Sequence, residues 1–245
     1  MYKFIATIFS SIFALSFLLI LVLFHGIQVV LLNLFGYQAH KVSVDLLNFF
    51  LVKSFYLVGS RIKFKNVHEL PTDRPLIIVA NHQNTFDIPP LIWYLRKHHL
   101  KFVSKIELGR GIPSVSYHLR NGGSALIDRK NPRQAVTEIN KHAQLLSKNN
   151  WSTLIFPEGT RSKTGVPKKF KTRGLKTLIE KIPNVLIVPV TINNSYKFNR
   201  WGNFPVPLGI KLTLEVHTPV EPEKELSEKF FDGIEKTITD AIVLD

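Results

Sequence analysis

The segment Asn81-His82-Gln83-Asn84-Thr85-Phe86-Asp87 places an imidazole and a carboxylate five residues apart. A carboxylate held against one imidazole nitrogen fixes the tautomer and leaves the other nitrogen free to act as a base. On one regular helix, His82 and Asp87 would stand about 140° apart at 3.6 residues per turn. They meet only if His82 lies on a loop and Asp87 on the first turn of the next helix. In the plainer alternative, Asp87 is a helix cap and His82 an unrelated surface residue.

Three further segments are unusual for their position. Gly122-Gly123-Ser124-Ala125-Leu126-Ile127-Asp128-Arg129 runs from a small apolar stretch into a charged turn. Arg129 there suits either a bidentate phosphate clamp or a salt bridge to a neighbour. Phe156-Pro157-Glu158-Gly159-Thr160-Arg161-Ser162 puts a carboxylate and a guanidinium on a Gly-Thr turn. That pairing suits hydroxyl and phosphate recognition, or an ordinary turn with an internal ion pair. Val188-Pro189-Val190 interrupts an apolar run with proline, which on its own reads as a strand bulge.

The surrounding pattern tells which elements must position these groups. Pro75-Leu76-Ile77-Ile78-Val79-Ala80 reads as a buried strand ending at Asn81-His82. Pro89-Pro90 opens a short helix over Leu91 to Lys97. Lys101 to Ser104, Ser124 to Ile127, Trp151 to Phe156 and Val185 to Thr191 are further strands. Lys211 to His217 alternates and reads as a strand nearer an edge. Pro132 to Lys148 and Gly174 to Lys181 are helices, with a last one within Pro222 to Val243. Strands alternating with helices predict an α/β domain over 61–245, its mostly parallel or mixed sheet flanked by helices. Ligand groups in such sheets gather at the carboxyl ends of strands, where the His82 segment lies.

Residues 1–60 differ in kind. No Asp, Glu, Lys or Arg occurs between Lys3 and Lys41. Phe4 to Phe24 is apolar apart from Thr7, Ser10, Ser11 and Ser16, and as a helix would extend about 31 Å, the thickness of a hydrocarbon core. Apolar residues continue past Gly26, which fits an anchor better than a cleaved signal. Val42 to Gly59 is amphipathic, with Lys41, Asp45 and Lys53 interrupting it. The segment is expected to embed in a membrane, as a single spanning helix or as a hairpin in one leaflet. The basic domain that follows is expected to remain on the cytoplasmic side.

The 245 residues carry 32 Lys+Arg against 18 Asp+Glu and no cysteine. The absence of cysteine removes disulfides, thiolate metal sites and a cysteine nucleophile. The charge is local: Arg96 to Lys176 holds 18 basic residues against Glu107, Asp128, Glu138 and Glu158, and the rest of the chain is balanced. Such an excess suits a polyanion: nucleic acid, an anionic bilayer or a phosphorylated molecule. Few aromatics are interleaved with these charges, which disfavours stacking on single-stranded nucleic acid. There is no G-x-S-x-G elbow, Walker A loop, G-x-G-x-x-G fingerprint or H-E-x-x-H pair, and no metal site is expected.

Taken in order, these segments resemble the glycerolipid acyltransferase family, specifically the bacterial 1-acyl-sn-glycerol-3-phosphate acyltransferases. Asn81-His82 with Asp87 matches an N-H-x(4)-D block. Gly123 to Arg129 matches a second, Phe156 to Ser162 a third and Val188-Pro189-Val190 a fourth. Lys105 to Leu108, and Phe170-Lys171 with Gly174, match intervening stretches. Ser124-Ala125 departs from the bulkier residues common in the second block, which makes its strand less secure.

The resemblance implies transfer of a fatty acyl group from acyl-CoA or acyl carrier protein to the sn-2 hydroxyl of lysophosphatidic acid. No cofactor is implied beyond the thioester co-substrate. His82 and Asp87 would supply the base. Lys105, Arg129, Glu158, Gly159, Thr160, Arg161 and, more weakly, Lys171 would hold the glycerol phosphate. Val188, Pro189 and Val190 would lie along the acyl-donor path. The expected partner is the phospholipid bilayer, at the cytoplasmic face of a bacterial inner membrane, and not nucleic acid. Two alternatives stay open: the same chemistry on another acceptor (another lysophospholipid, glycerol-3-phosphate or an acylated amino lipid), and a non-catalytic protein that binds anionic lipid.

Overall fold

In a computed structural model, which describes residues 1–128 and 130–244, one seven-stranded mixed sheet organises the chain. Its strands are β1 (Arg61–Lys65), β2 (Leu76–Ala80), β3 (Lys101–Lys105), β4 (Ala125–Ile127), β5 (Thr153–Ile155), β6 (Leu186–Asn193) and β7 (Lys211–Val216), in the order β1-β7-β6-β2-β5-β3-β4. All neighbours are parallel except β6 and β7. The helices are α1 (Tyr2–Ser54), α2 (Ile88–Tyr94), α3 (Val115–Asn121), α4 (Pro132–Asn149), α5 (Thr172–Lys181) and α6 (Glu228–Thr239).

β2 lies at the centre with all five residues sealed from solvent, which is why it reads as an unbroken apolar run. Successive side chains point to opposite faces. Leu76, Ile78 and Ala80 join a core with Phe13, Val44 and Phe55 of the N-terminal segment and with Leu91 of α2. Ile77 and Val79 join a second core with residues of α4, α5 and α6. The sheet is thus a middle layer, and the N-terminal segment forms part of one outer layer.

α1 is two arms. Gly36 has φ 75° and ψ −166° inside it, a conformation essentially restricted to glycine. The chain folds back there. Phe24 and Phe50 meet with ring centroids 5.8 Å apart, and Phe13 and Phe55 at 5.4 Å. Leu21, Phe24, Leu47 and Leu51 are buried between the arms. The two arms form a helical hairpin. Its outer face is apolar and open: Leu15 is 69% exposed and Leu19 64%. By length and composition the segment is apolar enough to cross a membrane. Its inner face docks on the domain. The Ser10 hydroxyl donates to the Val206 carbonyl and accepts from the Val206 N–H. The Ser114 hydroxyl donates to the Leu21 carbonyl at 2.6 Å.

Several boundaries moved for identifiable reasons. β1 was not among the expected strands, although Arg61-Ile62-Lys63-Phe64-Lys65 alternates basic and apolar residues; it is a half-buried edge strand. β7 lies one strand in from that edge. The last helix starts only at Glu228, where the Ser227 side chain accepts from the Phe230 N–H and caps it. α3 was unforeseen because a seven-residue helix shows too little periodicity.

Candidate active site

The site is built where β2 ends. Asn81 turns the chain out of the sheet while still pairing with it: its amide donates to the Ile192 carbonyl at 2.8 Å and accepts from the Ile192 N–H at 2.7 Å. This side-chain rung replaces the backbone rung that β2 gives up. His82 follows on the loop, and Asp87 sits in a short 3₁₀ turn capped by the Asn84 side chain. That is the loop-then-turn arrangement in which the two can meet. His82 Nδ1 lies 2.8 Å from Asp87 Oδ2.

Asp87 is fully buried and its acceptor capacity is heavily used. Oδ2 takes the His82 ring nitrogen and the N–H groups of Gln83 (2.8 Å) and Asn84 (2.9 Å). Oδ1 takes the Ser195 hydroxyl. Because Asp87 only accepts, His82 carries its proton on Nδ1, and its Nε2 lone pair remains available. The imidazole stacks on Phe156, with centroids 3.9 Å apart and planes 11° from parallel. It is 17% exposed, open enough to meet a substrate yet fixed on two sides.

The loop after β5 grips the backbone of His82. Glu158 Oε1 accepts from the His82 N–H at 2.7 Å, Oε2 accepts from the Lys168 N–H at 2.9 Å, and the Ser162 N–H donates to the His82 carbonyl at 2.7 Å. Burial raises the Glu158 carboxyl above its usual range, and the two backbone N–H groups oppose that rise. Gly159 has φ 68°, a left-handed turn that returns the chain over the site. Arg161 is exposed and donates to the Thr85 hydroxyl, within the loop that joins His82 to Asp87.

Thr160 and Lys171 are exposed beside this loop. The Lys171 N–H donates to the Pro157 carbonyl at 2.9 Å, and its ammonium lies about 4.0 Å from where a Cβ on Gly159 would stand. Lys105 is exposed at the carboxyl end of β3, the same end of the parallel sheet as His82. Arg129, the expected phosphate clamp, lies outside the described residues.

Val188-Pro189-Val190 is buried inside β6, in register with Ile78-Val79-Ala80. The other neighbour of β6 shows why a proline is tolerated there. From Ile187↔Val220 to Val190↔Val216, the pairing advances three residues on β6 and four on its partner. Pro189, which has no N–H to offer, sits at that slip and only accepts, from the His217 N–H at 2.9 Å. The extra residue is on the strand opposite the proline.

Ser195 and Gln83 escaped the sequence reading. Gln83 Oε1 accepts from the N–H groups of Ser195 (3.0 Å) and Tyr196 (3.3 Å), tying the His82 loop to the turn after β6. Ser195 is 108 residues from Asp87, so no local spacing could have joined them.

Residues 61–193 match the family described as Acyltransferase. The chain is 27% identical over 156 residues to the 1-acyl-sn-glycerol-3-phosphate acyltransferase alpha of Ovis aries, covering 64% of this chain and 53% of that protein. It is 28% identical over 210 residues to the chloroplastic 1-acyl-sn-glycerol-3-phosphate acyltransferase LPAT1 of Arabidopsis thaliana, covering 85% and 56%. The chain thus spans about half the length of these two relatives. It is 25% identical over 179 residues to the 1-acyl-sn-glycerol-3-phosphate acyltransferase of Haemophilus influenzae, covering 71% and 74%. The crystal structure of the 1-acyl-sn-glycerophosphate acyltransferase PlsC from Thermotoga maritima superposes with a TM-score of 0.73 at 24% identity, over 97% of this chain and 93% of that one. The two share a fold.

Proposed function

From the premise that this chain belongs to the acyltransferase family, we propose that it moves a fatty acyl group from a thioester to the sn-2 hydroxyl of 1-acyl-sn-glycerol-3-phosphate. The product is phosphatidic acid. The thioester is that of acyl-CoA or acyl carrier protein. The observation that carries the reading is the His82–Asp87 pair, 2.8 Å apart at the carboxyl end of the central strand. The names of the relatives support the acceptor.

In this reading, His82 Nε2 takes the proton of the acceptor hydroxyl as its oxygen attacks the thioester carbonyl. The C–O ester bond forms, the C–S bond breaks, and the proton passes from His82 to the departing thiolate. Asp87 stabilises the imidazolium that exists between these events. General-base help of this kind contributes about 10²–10⁴-fold. The mechanism needs no enzyme nucleophile, in keeping with a chain that has no cysteine.

For the acceptor phosphate we assign Arg161, Lys171, Lys105 and Arg129, with Gly159 and Thr160 shaping the turn beside it. Glu158 has both carboxylate oxygens on backbone N–H groups, so we give it the task of holding His82 rather than touching phosphate. Val188, Pro189 and Val190, sealed inside the sheet, would back the donor path from behind. We place the open apolar face of the hairpin in the cytoplasmic leaflet, where the basic central third of the chain meets anionic headgroups.

The test is to supply purified protein in mixed micelles with acyl-CoA or acyl carrier protein and a panel of lyso-acceptors, and to identify the product lipid. Phosphatidic acid from lysophosphatidic acid supports the reading. Turnover confined to another acceptor class would replace it.

A further inference from the structure

The hydrogen bonding around Asp87 extends one residue beyond the His82–Asp87 pair. Ser195 is fully buried, and its hydroxyl donates to Asp87 Oδ1. A second acceptor, Gln83 Oε1, stands 3.4 Å away, a longer contact to a neutral oxygen. The single hydroxyl proton goes to the nearer, charged one. Ser195 cannot be a nucleophile: it is sealed from solvent and points at the carboxylate, not at the imidazole.

Its placement is built by the fold. β6 ends at Asn193, and Asn194 takes φ 71°, held by its side-chain amide on the Lys211 carbonyl at 3.0 Å. That left-handed residue turns the Ser195 and Tyr196 N–H groups onto Gln83 Oε1. Gln83 in turn gives its own N–H to Asp87 Oδ2 at 2.8 Å. Asp87 is therefore gripped from its own turn and from the end of β6. Among the described residues, Ser195 is the only hydrogen-bond donor to Oδ1.

We infer that Ser195 is a positioning residue of the acyl transfer, fixing the Asp87 carboxylate so that Oδ2 stays in line with His82 Nδ1. This rests on the proposed function for its chemistry but not for its geometry. Without the hydroxyl, Oδ1 has a buried lone pair and no donor, and the carboxylate is held at Oδ2 alone, free to tilt about that point.

The experiment compares wild type, Ser195→Ala and Ser195→Thr in detergent micelles. One arm measures kcat and KM. The other measures the His82 Nδ1–H proton resonance, identified by its absence in His82→Ala. Expected for Ser195→Ala are a kcat lower by about 10- to 100-fold, the worth of one hydrogen bond to a charged group, an unchanged KM for the acceptor and a moved resonance. Ser195→Thr, which keeps the hydroxyl, recovers most of the kcat and the wild-type resonance. A folded Ser195→Ala with wild-type kcat overturns the inference, as does a kcat loss that Ser195→Thr leaves unrepaired while the resonance stays put. If wild type transfers no acyl group at all, the proposed function falls, and the resonance alone decides: unmoved in Ser195→Ala, it overturns the positioning role too.

Discussion

Asp87→Asn separates the charge of the carboxylate from its shape. Three donors converge on Oδ2 and one on Oδ1. An asparagine has one acceptor oxygen, and the three donors demand it at the Oδ2 place. The amide NH₂ then faces the Ser195 oxygen, whose hydroxyl turns to accept. Every backbone donor keeps its partner, so the fold should lose no more than about 1–2 kcal/mol, the difference between charged and neutral hydrogen bonds. The lost negative charge matters chiefly when His82 is an imidazolium. A unit charge at about 4 Å in an effective dielectric near 20 is worth about 4 kcal/mol, and 4 kcal/mol of transition-state stabilisation is about 10³-fold in rate. Asp87→Asn should therefore lower kcat about 10³-fold with little change in KM. Released thiol can be followed with a thiol reagent, because the protein has no cysteine to add background. A folded Asp87→Asn within tenfold of wild type would refute the electrostatic role, and an unfolded one would refute the proposed rearrangement of donors.

Other perturbations follow from the same geometry. Arg161→Ala should raise KM for the lysophospholipid at least tenfold and leave thioester KM unchanged, as steady-state kinetics on each substrate will show. Gly159→Ala forces a side chain into the left-handed region at a cost of about 1–2 kcal/mol, so the melting temperature and kcat should fall together. Burial, with Lys41 adding to it, lowers Lys101 from its usual value to about 7. The unfolded chain therefore holds this proton up to a higher pH than the folded one does. Stability should rise between pH 7 and about 10 by up to about 1.4 kcal/mol per unit from this group. Denaturant titrations should show that slope in wild type and a reduced one in Lys101→Met.

The elements most visible in the sequence were those whose neighbours constrain them strongly. β2 and β6 are buried on both faces, so they appear as plain apolar runs. α4 announces itself through apolar residues at helical spacing, of which Ile139, Ala143 and Leu146 are buried. For His82 and Asp87 the spacing left a pair and an unrelated cap both open; the resemblance of the whole block favoured the pair, and the local turn between them forms it. β1 went unnoticed because an edge strand needs only one apolar face. The hairpin turn rests on the single residue Gly36, which composition cannot separate from Gly26 nearby. The contacts of Glu158 and Ser195 with the His82–Asp87 pair span 76 and 108 residues, and only the strand order β6-β2-β5 creates them. Glu158 was expected among the substrate ligands because its sequence neighbours are polar; in the fold both of its carboxylate oxygens accept from backbone N–H groups, which is why we propose a holding role for it.

The central claim, that His82 is the base for acyl transfer to a lysophospholipid hydroxyl, is tested most directly by His82→Ala. Thiol release from acyl thioester in the presence of lysophosphatidic acid should be measured for wild type and variant at equal vesicle binding. The account predicts acceptor-dependent release by wild type and its loss, by about 10²-fold or more, in a variant that binds vesicles normally. Release by His82→Ala at the wild-type rate would contradict it.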